Sequence, residues 1–412
     1  MNIRVGLMER RPKVSVVLRG RFVDGSGRQV PSGPREFTAP ACLTPTNPAE
    51  DRFVVPDVTI GIGFHWERRQ EQVFAGGLTI EKDGAGLTVI NEIPLEDYVR
   101  SVIASEMSGE SPIEFLRAHA VISRSWVAAA IACGDTVGEV RREGRTAAGE
   151  REIVVWYGRE SHTRFDVCAD DHCQRYQGVA PSESGNVRRA VAETAGEFLT
   201  FEGQVCDARF SKCCGGVTES FASAWEDRPV PYLEAVYDGE GGMPRVDDRW
   251  LRSAPPAWCN TTDRRLIAEI LPGFDQETAD FFRWTTAYTP ERLGAIVGER
   301  TGTDVGPVAG LDPIVRGRSG RIVRLRIRGR SGTLIVGKEL EIRRALSESH
   351  LYSSAFVADV RPERIVLHGA GWGHGVGLCQ IGAGVQAYAG RSYRQILAHY
   401  YLGTEVVRRS FH

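Results

Sequence analysis

Val99–Pro112, VRSVIASEMSGESP, sets one charge against an apolar stripe. Counting about 100° per residue from Leu95, the side chains of Leu95, Tyr98, Val99, Val102 and Ile103 share one helical face, and Glu106 falls at about 20°, near its middle. Pro94 suits the first position of that helix, and Gly109 follows its end. Ser111, Pro112 and Glu114 read as the capping-box start of a second helix reaching about Ala132. A carboxylate on the apolar face has two readings. It is held by an arginine, such as Arg124 on the second helix, or dehydration disfavours its charged form and leaves an acid able to donate a proton near neutrality.

Outward from this helical pair the pattern changes. Residues 1–89 form a β-rich section in which RVGLM, VSVVLRGRFV, FVVPDVTIGIGF, VFAGGLTI and LTVI run apolar or alternate between Gly, Pro and Asp turns. Residues 90–245 hold the two helices and then short strands mixed with cysteines. Residues 246–412 open with two amphipathic helices, LIAEIL and PERLGAIVGERTG, around a turn-rich centre containing FFRWTT. A meander with Ser-Gly turns follows, its arginines alternating with Ile, Val and Leu as on a solvated sheet face. The chain closes on a glycine-rich stretch and a helix. The expected fold is α+β: antiparallel β-rich lobes, a helical segment bearing Glu106, and a cleft between lobes.

A chain of 412 residues with 42% apolar and 25% charged residues can bury several cores unaided. Its 51 basic and 53 acidic side chains leave a net charge of −2, which points to neither nucleic acid nor an anionic membrane surface. No apolar run has the length of a membrane span, and no signal peptide is visible. The glycines of Gly369–Gly390 lack the Gly-Lys-Ser/Thr ending of a phosphate loop.

The nine cysteines are odd in number and clustered, which fits metal ligation or free thiols better than a disulfide framework. In HTRFDVCADDHCQ, His162, Cys168 and Cys173, with His172 beside the last, offer the nitrogen and sulfur ligands that tetrahedral zinc prefers. The alternative is a Cys168–Cys173 disulfide or two inert thiols. Adjacent ligands such as His172 and Cys173 need a sharp bend to share an ion, so the fourth position stays open to water, His172 or another thiol. Cys213 and Cys214 are expected to pack in the core.

Three segments together resemble the SpoIID/LytB family. EMSGESPIEFLRAHAVISRSWV matches a Glu-Met pair followed by Pro and an Ala-x-Ala-Val-x-x-Arg-aromatic helix, at Glu106, Met107, Pro112, Ala118, Ala120, Val121, Arg124 and Trp126. FSKCCGGVTES resembles the family's Cys-Gly-Gly segment, and GWGHGVGLCQIGAGVQAYAGRSYRQILAHYY its closing Gly-His-Gly-Val-Gly-x-x-Gln segment. The resemblance implies a lytic transglycosylase of peptidoglycan with Glu106 as the catalytic acid. Glu106 would protonate the oxygen between N-acetylmuramic acid and N-acetylglucosamine, then accept the proton of the muramyl C6 hydroxyl, giving a 1,6-anhydro end. A second carboxylate is then unnecessary, although Asp170, Asp171, Glu226 and Asp227 are candidates. The resemblance also implies one zinc ion per chain on His162, Cys168 and Cys173, and substrate contacts from Arg124, His374, Gln380 and Trp372, with Trp225 and Trp126 as further sugar platforms. Its alternatives are a cell-wall-binding modifier of an N-acetylmuramoyl-L-alanine amidase and, with no leader visible, a cytoplasmic zinc protein. The substrate itself would place the protein in the cell envelope.

Overall fold

The computed structural model describes residues 1–61, 68–133, 138–158, 162–170, 172–179, 184–273 and 279–409. Asp171 and the Ile62–Phe64 end of an expected strand lie outside them. Alternation in the first ninety residues becomes two sheets. A four-stranded sheet runs Gly33–Phe37, Val14–Arg19, Arg52–Ile60, Arg68–Phe74. A seven-stranded sheet has Asn2–Arg11 and Gly86–Pro94 as an antiparallel pair near one end, with Ile3 opposite Ile93. Their inward side chains, including Ile3, Val5, Val14, Val16 and Leu18, join one core with the helices, as period-two burial requires.

The two expected helices are α1, Leu95–Glu106, and α2, Ile113–Ala132. The apolar stripe of α1 buries Leu95, Tyr98, Val99, Val102 and Ile103. The helix stops at Glu106 because Met107 turns extended, with φ −124° and ψ 157°. The expected capping box does not form. Ser111 Oγ donates instead to the carbonyls of Glu269 and Ile270, while Glu114 pairs with Arg117 and accepts from the Tyr393 N–H.

Arg124 corrects two expectations at once. It neither holds Glu106 nor faces substrate: its side chain is 0% exposed and forks onto Glu96, with Nε 3.0 Å from Oε1 and Nη2 2.6 Å from Oε2. Nη1 donates to the Glu197 carbonyl at 3.0 Å. This bidentate pair ties α2 to the start of α1 and to the strand Glu197–Phe201. Trp126, likewise expected near sugar, is 4% exposed and belongs to the core.

Gln380 is also internal. It opens the helix Gln380–Tyr388, and its amide nitrogen lies 3.3 Å from His119 Nε2 on α2, so it serves the packing of the closing segment rather than a sugar hydroxyl. The amide nitrogen can only donate, so Nε2 accepts and Nδ1 donates to Ser123 Oγ at 3.1 Å. Burial pushes His119 down to about 3, and the ring is neutral.

A second core gathers the rest. A five-stranded sheet joins Glu139–Arg145 and Arg151–Tyr157 to the meander Val308–Arg316, Ile322–Gly329 and Thr333–Gly337. Its parallel seam pairs Arg151 with Leu334 and so crosses the expected boundary at residue 245. The helices Pro290–Thr301 and Glu339–Ala345 supply Leu293, Val297 and Ile342 to this core. FFRWTT, read as turn-rich, contributes the strand Arg283–Tyr288, which pairs with Ile365–Ala370. The meander's arginines are half-paired rather than simply solvated: Arg326 Nε lies 2.9 Å from Glu150 Oε1, and Arg328 reaches Asp312.

Two outcomes check this packing. Glu96→Ala leaves the Arg124 guanidinium buried without its carboxylate, and urea unfolding should show a loss of about 3 kcal/mol; a loss of a few tenths would contradict the assigned role. For His119, the folded value lies below the ordinary 6.5, so the unfolded chain takes up the proton first and stability falls as pH drops from about 6.5 toward 3, by about 1.4 kcal/mol per pH unit. The stability gap between wild type and His119→Gln should therefore narrow by about 2–3 kcal/mol between roughly pH 6.5 and pH 4.5. A constant gap would show that the ring titrates alike in the folded and unfolded chain.

Candidate functional site

Glu106 sits where α1 gives way to extended chain, and its carboxyl is half-buried, not sealed among the apolar side chains that the stripe suggested. The helix ends at this residue, so the stripe has no further turn to cover it. Oε1 accepts the backbone N–H of Arg175 at 3.1 Å, and the neighbouring Ser105 Oγ accepts that of Gln177 at 3.2 Å. Buried Tyr98, one helical face behind, stacks on Tyr176 at 5.4 Å and donates to Gln174 at 3.3 Å. The 174–177 segment thus lies along α1 and positions the acid.

That segment leads directly out of the His/Cys loop. Val167–Cys168 adds to the edge of the seven-stranded sheet as a parallel strand, Val5 opposite Val167 and Gly6 opposite Cys168. Phe165 covers Gly6 so closely that a Cβ there would lie 2.4 Å from its ring, and His162 packs on the same ring at 4.5 Å. A turn then returns the chain, the Cys173 N–H bonding to the Asp170 carbonyl at 3.0 Å and the Asp170 side chain accepting from Gly61 N.

The result is a four-donor set. One ligand atom each from His162, Cys168, His172 and Cys173 lies within 4.8 Å of all the others. His162 Nε2 is 3.4 Å from Cys173 Sγ, and His172 Nδ1 is 3.6 Å from Cys173 Sγ and 3.9 Å from Cys168 Sγ. A tetrahedral zinc ion with Zn–S of about 2.3 Å and Zn–N of about 2.0 Å places N and S ligands about 3.5 Å apart, so the spacing fits such an ion. Both cysteines are free thiols, which excludes the Cys168–Cys173 disulfide in this structure. The adjoining Cys173 thiol and then burial push Cys168 up to about 12, so an ion held here must displace its proton. The turn at Asp170–Cys173 supplies the bend that lets two adjacent residues, His172 and Cys173, aim at one point.

The remaining expected site residues lie elsewhere. His374 is half-buried; its Nδ1 accepts from Val376 N at 3.0 Å and its ring meets Trp225 edge-on at 4.9 Å. Desolvation first, then the charges of Arg209, Arg321 and Arg343, push it down to about 3, leaving it neutral. Arg209 covers the same Trp225 at 4.4 Å. Trp225 lines a groove of about 660 Å³ with Cys133, Trp156, Arg209, Arg228 and Tyr232, where the far end of α2 meets the strand Arg151–Tyr157. Glu106 is not in its wall. Trp372 is half-buried between Tyr352 at 4.2 Å and Phe281 at 5.1 Å, with Lys212 Nζ 5.8 Å from its ring. Of the other carboxylates, Asp227 pairs with Lys338 and Glu226 with Arg228.

Comparison with known proteins fits this division. Residues 83–201, which contain α1, α2 and the His/Cys loop, match the family described as Stage II sporulation protein, SpoIID. Residues 219–377 match a family described as a domain of unknown function, DUF8618. An uncharacterized protein of Brachyspira hyodysenteriae is 28% identical over 326 residues, covering 78% of this chain and 68% of its own. Stage II sporulation protein D of Bacillus amyloliquefaciens is 26% identical over 318 residues, covering 77% and 75%. The amidase enhancer of Bacillus subtilis is 25% identical over 250 residues, 54% of this chain but 33% of that protein. The sporulation match thus lies over both Glu106 and the four-donor loop, so residues 83–201 are similar to the SpoIID family.

Proposed function

We propose that the protein acts on the bacterial cell wall as a lytic transglycosylase, cutting glycan strands of peptidoglycan at the bond between N-acetylmuramic acid and N-acetylglucosamine. The observation that carries this reading is the placement of Glu106: one half-buried carboxyl at a helix end, held through Oε1 by a backbone N–H. A carboxyl so held keeps a fixed orientation toward its substrate. In its acid form it protonates the departing glycosidic oxygen; as the carboxylate it then accepts the proton of the C6 hydroxyl, which closes on C1 of the same sugar. Intramolecular attack leaves a 1,6-anhydro end and consumes no water, so a paired second carboxylate is not required.

His162, Cys168, His172 and Cys173 would hold zinc. When bound, that ion supplies a fixed cross-link closing the loop; the protein's own backbone at 174–177 then keeps Glu106 aimed. Trp372, half-buried between Tyr352 and Phe281, would meet sugar only through the part of its ring that stays exposed. A peptidoglycan substrate places the protein in the cell envelope. Among the described residues no helix is long and apolar enough to cross a membrane.

A second reading, that the protein binds wall and stimulates an amidase, draws on the amidase enhancer relative. The two differ in what they ask of position 106, since a binder has no use for a proton donor there. On purified glycan strands the wild type should release fragments with anhydro-muramyl ends by mass spectrometry. Glu106→Gln should lower that release at least a hundredfold, within the range general acid catalysis contributes, while leaving the unfolding midpoint unchanged. Ordinary reducing ends would make it a hydrolase, and stimulation of an amidase without any glycan cleavage would favour the second reading. Cys173→Ser should lose about one zinc per chain in metal analysis; an unchanged content would remove that residue from the ligand set.

A further inference from the structure

Cys214, Asp238, Cys259 and Cys379 reach one point from four separate segments. Cys214 lies in the glycine-rich turn after the strand Phe210–Ser211, Asp238 and Cys259 lie in connections on either side of the helix Asp248–Arg252, and Cys379 ends the strand Leu378–Cys379. One donor atom of each lies within 4.8 Å of all the others, and all four residues are buried. The Sγ atoms of Cys214 and Cys259 are 3.6 Å apart, and both are free thiols. Thiolates on a tetrahedral zinc ion with Zn–S of about 2.3 Å stand about 3.8 Å apart.

The surroundings are those of an anionic centre. Backbone N–H groups point at sulfur: that of Cys214 lies 3.2 Å from Cys379 Sγ, and that of Gly216 lies 3.4 Å from Cys214 Sγ. Donors of this kind orient and stabilise metal-bound thiolates. Asp238, 0% exposed, accepts from Cys259 N at 3.0 Å and from Tyr400 Oη at 2.5 Å, and among the described residues it has no lysine or arginine partner. A charge so placed is costly unless something cationic shares the site. Close by, Arg283 spends its donors on the carbonyls of Gly215, Trp250, Ser253 and Phe282 and pairs with no carboxylate among the described residues. Arg321, fully buried, donates to the Cys214 carbonyl at 3.0 Å. Three thiolates and a carboxylate around a divalent ion carry a net charge of about −2, which these two guanidiniums oppose.

We infer that Cys214, Asp238, Cys259 and Cys379 form a second, structural metal centre for a thiophilic divalent cation of the zinc class. Binding releases the thiol protons to solvent and forms three metal–sulfur bonds and one metal–oxygen bond. The donors are too close together for a multi-iron cluster, which spreads its cysteines around several metal atoms, whereas one ion suits them. Carboxylate as fourth ligand favours zinc over copper(I), which selects soft donors throughout. The centre ties the Cys-Gly-Gly turn, the 238–259 connection and the start of the closing helix to one another, so its role is to lock the second family-matched region, residues 219–377, onto the closing segment. Cys213 touches Cys259 and Cys379 but lies outside the set, and is dispensable for the metal.

The experiment uses the full chain expressed with zinc, in the Cys173→Ser background, so that the loop at residues 162–173 cannot account for what is bound. Native mass spectrometry and elemental analysis should find about one zinc still held, and none in Cys173→Ser/Cys259→Ser, while Cys173→Ser/Cys213→Ser keeps it. Cobalt loaded into Cys173→Ser should show sulfur-to-cobalt charge transfer in the near ultraviolet of the intensity that three thiolates give, about three times what the one thiol left in the loop, Cys168, could supply. That spectrum needs only the one variant, so it decides the matter even if the double variants misfold. A Cys173→Ser protein without metal after zinc or cobalt loading, or a Cys214–Cys259 disulfide mapped by peptide mass, overturns the inference. Neither result bears on whether Glu106 cleaves glycan.

Discussion

The short parallel pairing of Val167–Cys168 with the first strand governs how the candidate site is assembled. Two residues of ladder fix the height of Cys168, Phe165 locks over the bare backbone of Gly6, and His162 packs on Phe165. The chain can then turn only where Asp170 caps it, which delivers His172 and Cys173 to the same point and lays 174–177 against α1. Glu106 receives its backbone donor at the end of this sequence of constraints. The acid and the four-donor loop are therefore one construction, anchored on a strand made at the very start of the chain.

Much of this was legible from residue patterns, and the failures have physical reasons. The period-two opening, the helix pair and the meander follow from apolar spacing, because burial of one face is what the spacing encodes. A helical wheel, however, assumes that the helix continues. Glu106 lies on the buried stripe but at its terminus, where no further turn closes over it, so it is half-open. Ser111 illustrates a competition that sequence does not display: its hydroxyl serves two carbonyls at 269 and 270 instead of its own helix.

Arg124 and Gln380 show the limit from the other direction. Motif membership marks both as important, and they are, but through packing. Arg124 neutralises Glu96 inside the fold and Gln380 orients a dry histidine. Long-range partners of this kind are 28 and 261 positions apart and leave no local trace. His172 was visible as a neighbour of Cys173, and only the turn decides that adjacent side chains converge. The second donor set was invisible for the same reason as the long-range pairs. Of its cysteines only Cys214 is singled out by the sequence, as a core residue, and all three are buried; what burial alone does not reveal is that they face each other and an aspartate.

The two cores share the chain unequally. The first gathers the opening sheets, α1 and α2 with the closing helices, whereas the second needs strands on both sides of a long excursion. Its parallel seam joins Arg151–Tyr157 to Thr333–Gly337. On the ribosome, the hairpin of Glu139–Arg145 and Arg151–Tyr157 therefore emerges long before the strand that completes it, holding Ile153 and Val155 against no partner. Late closure of that seam puts the aggregation hazard of its apolar side chains on the nascent chain, before the meander has been synthesised.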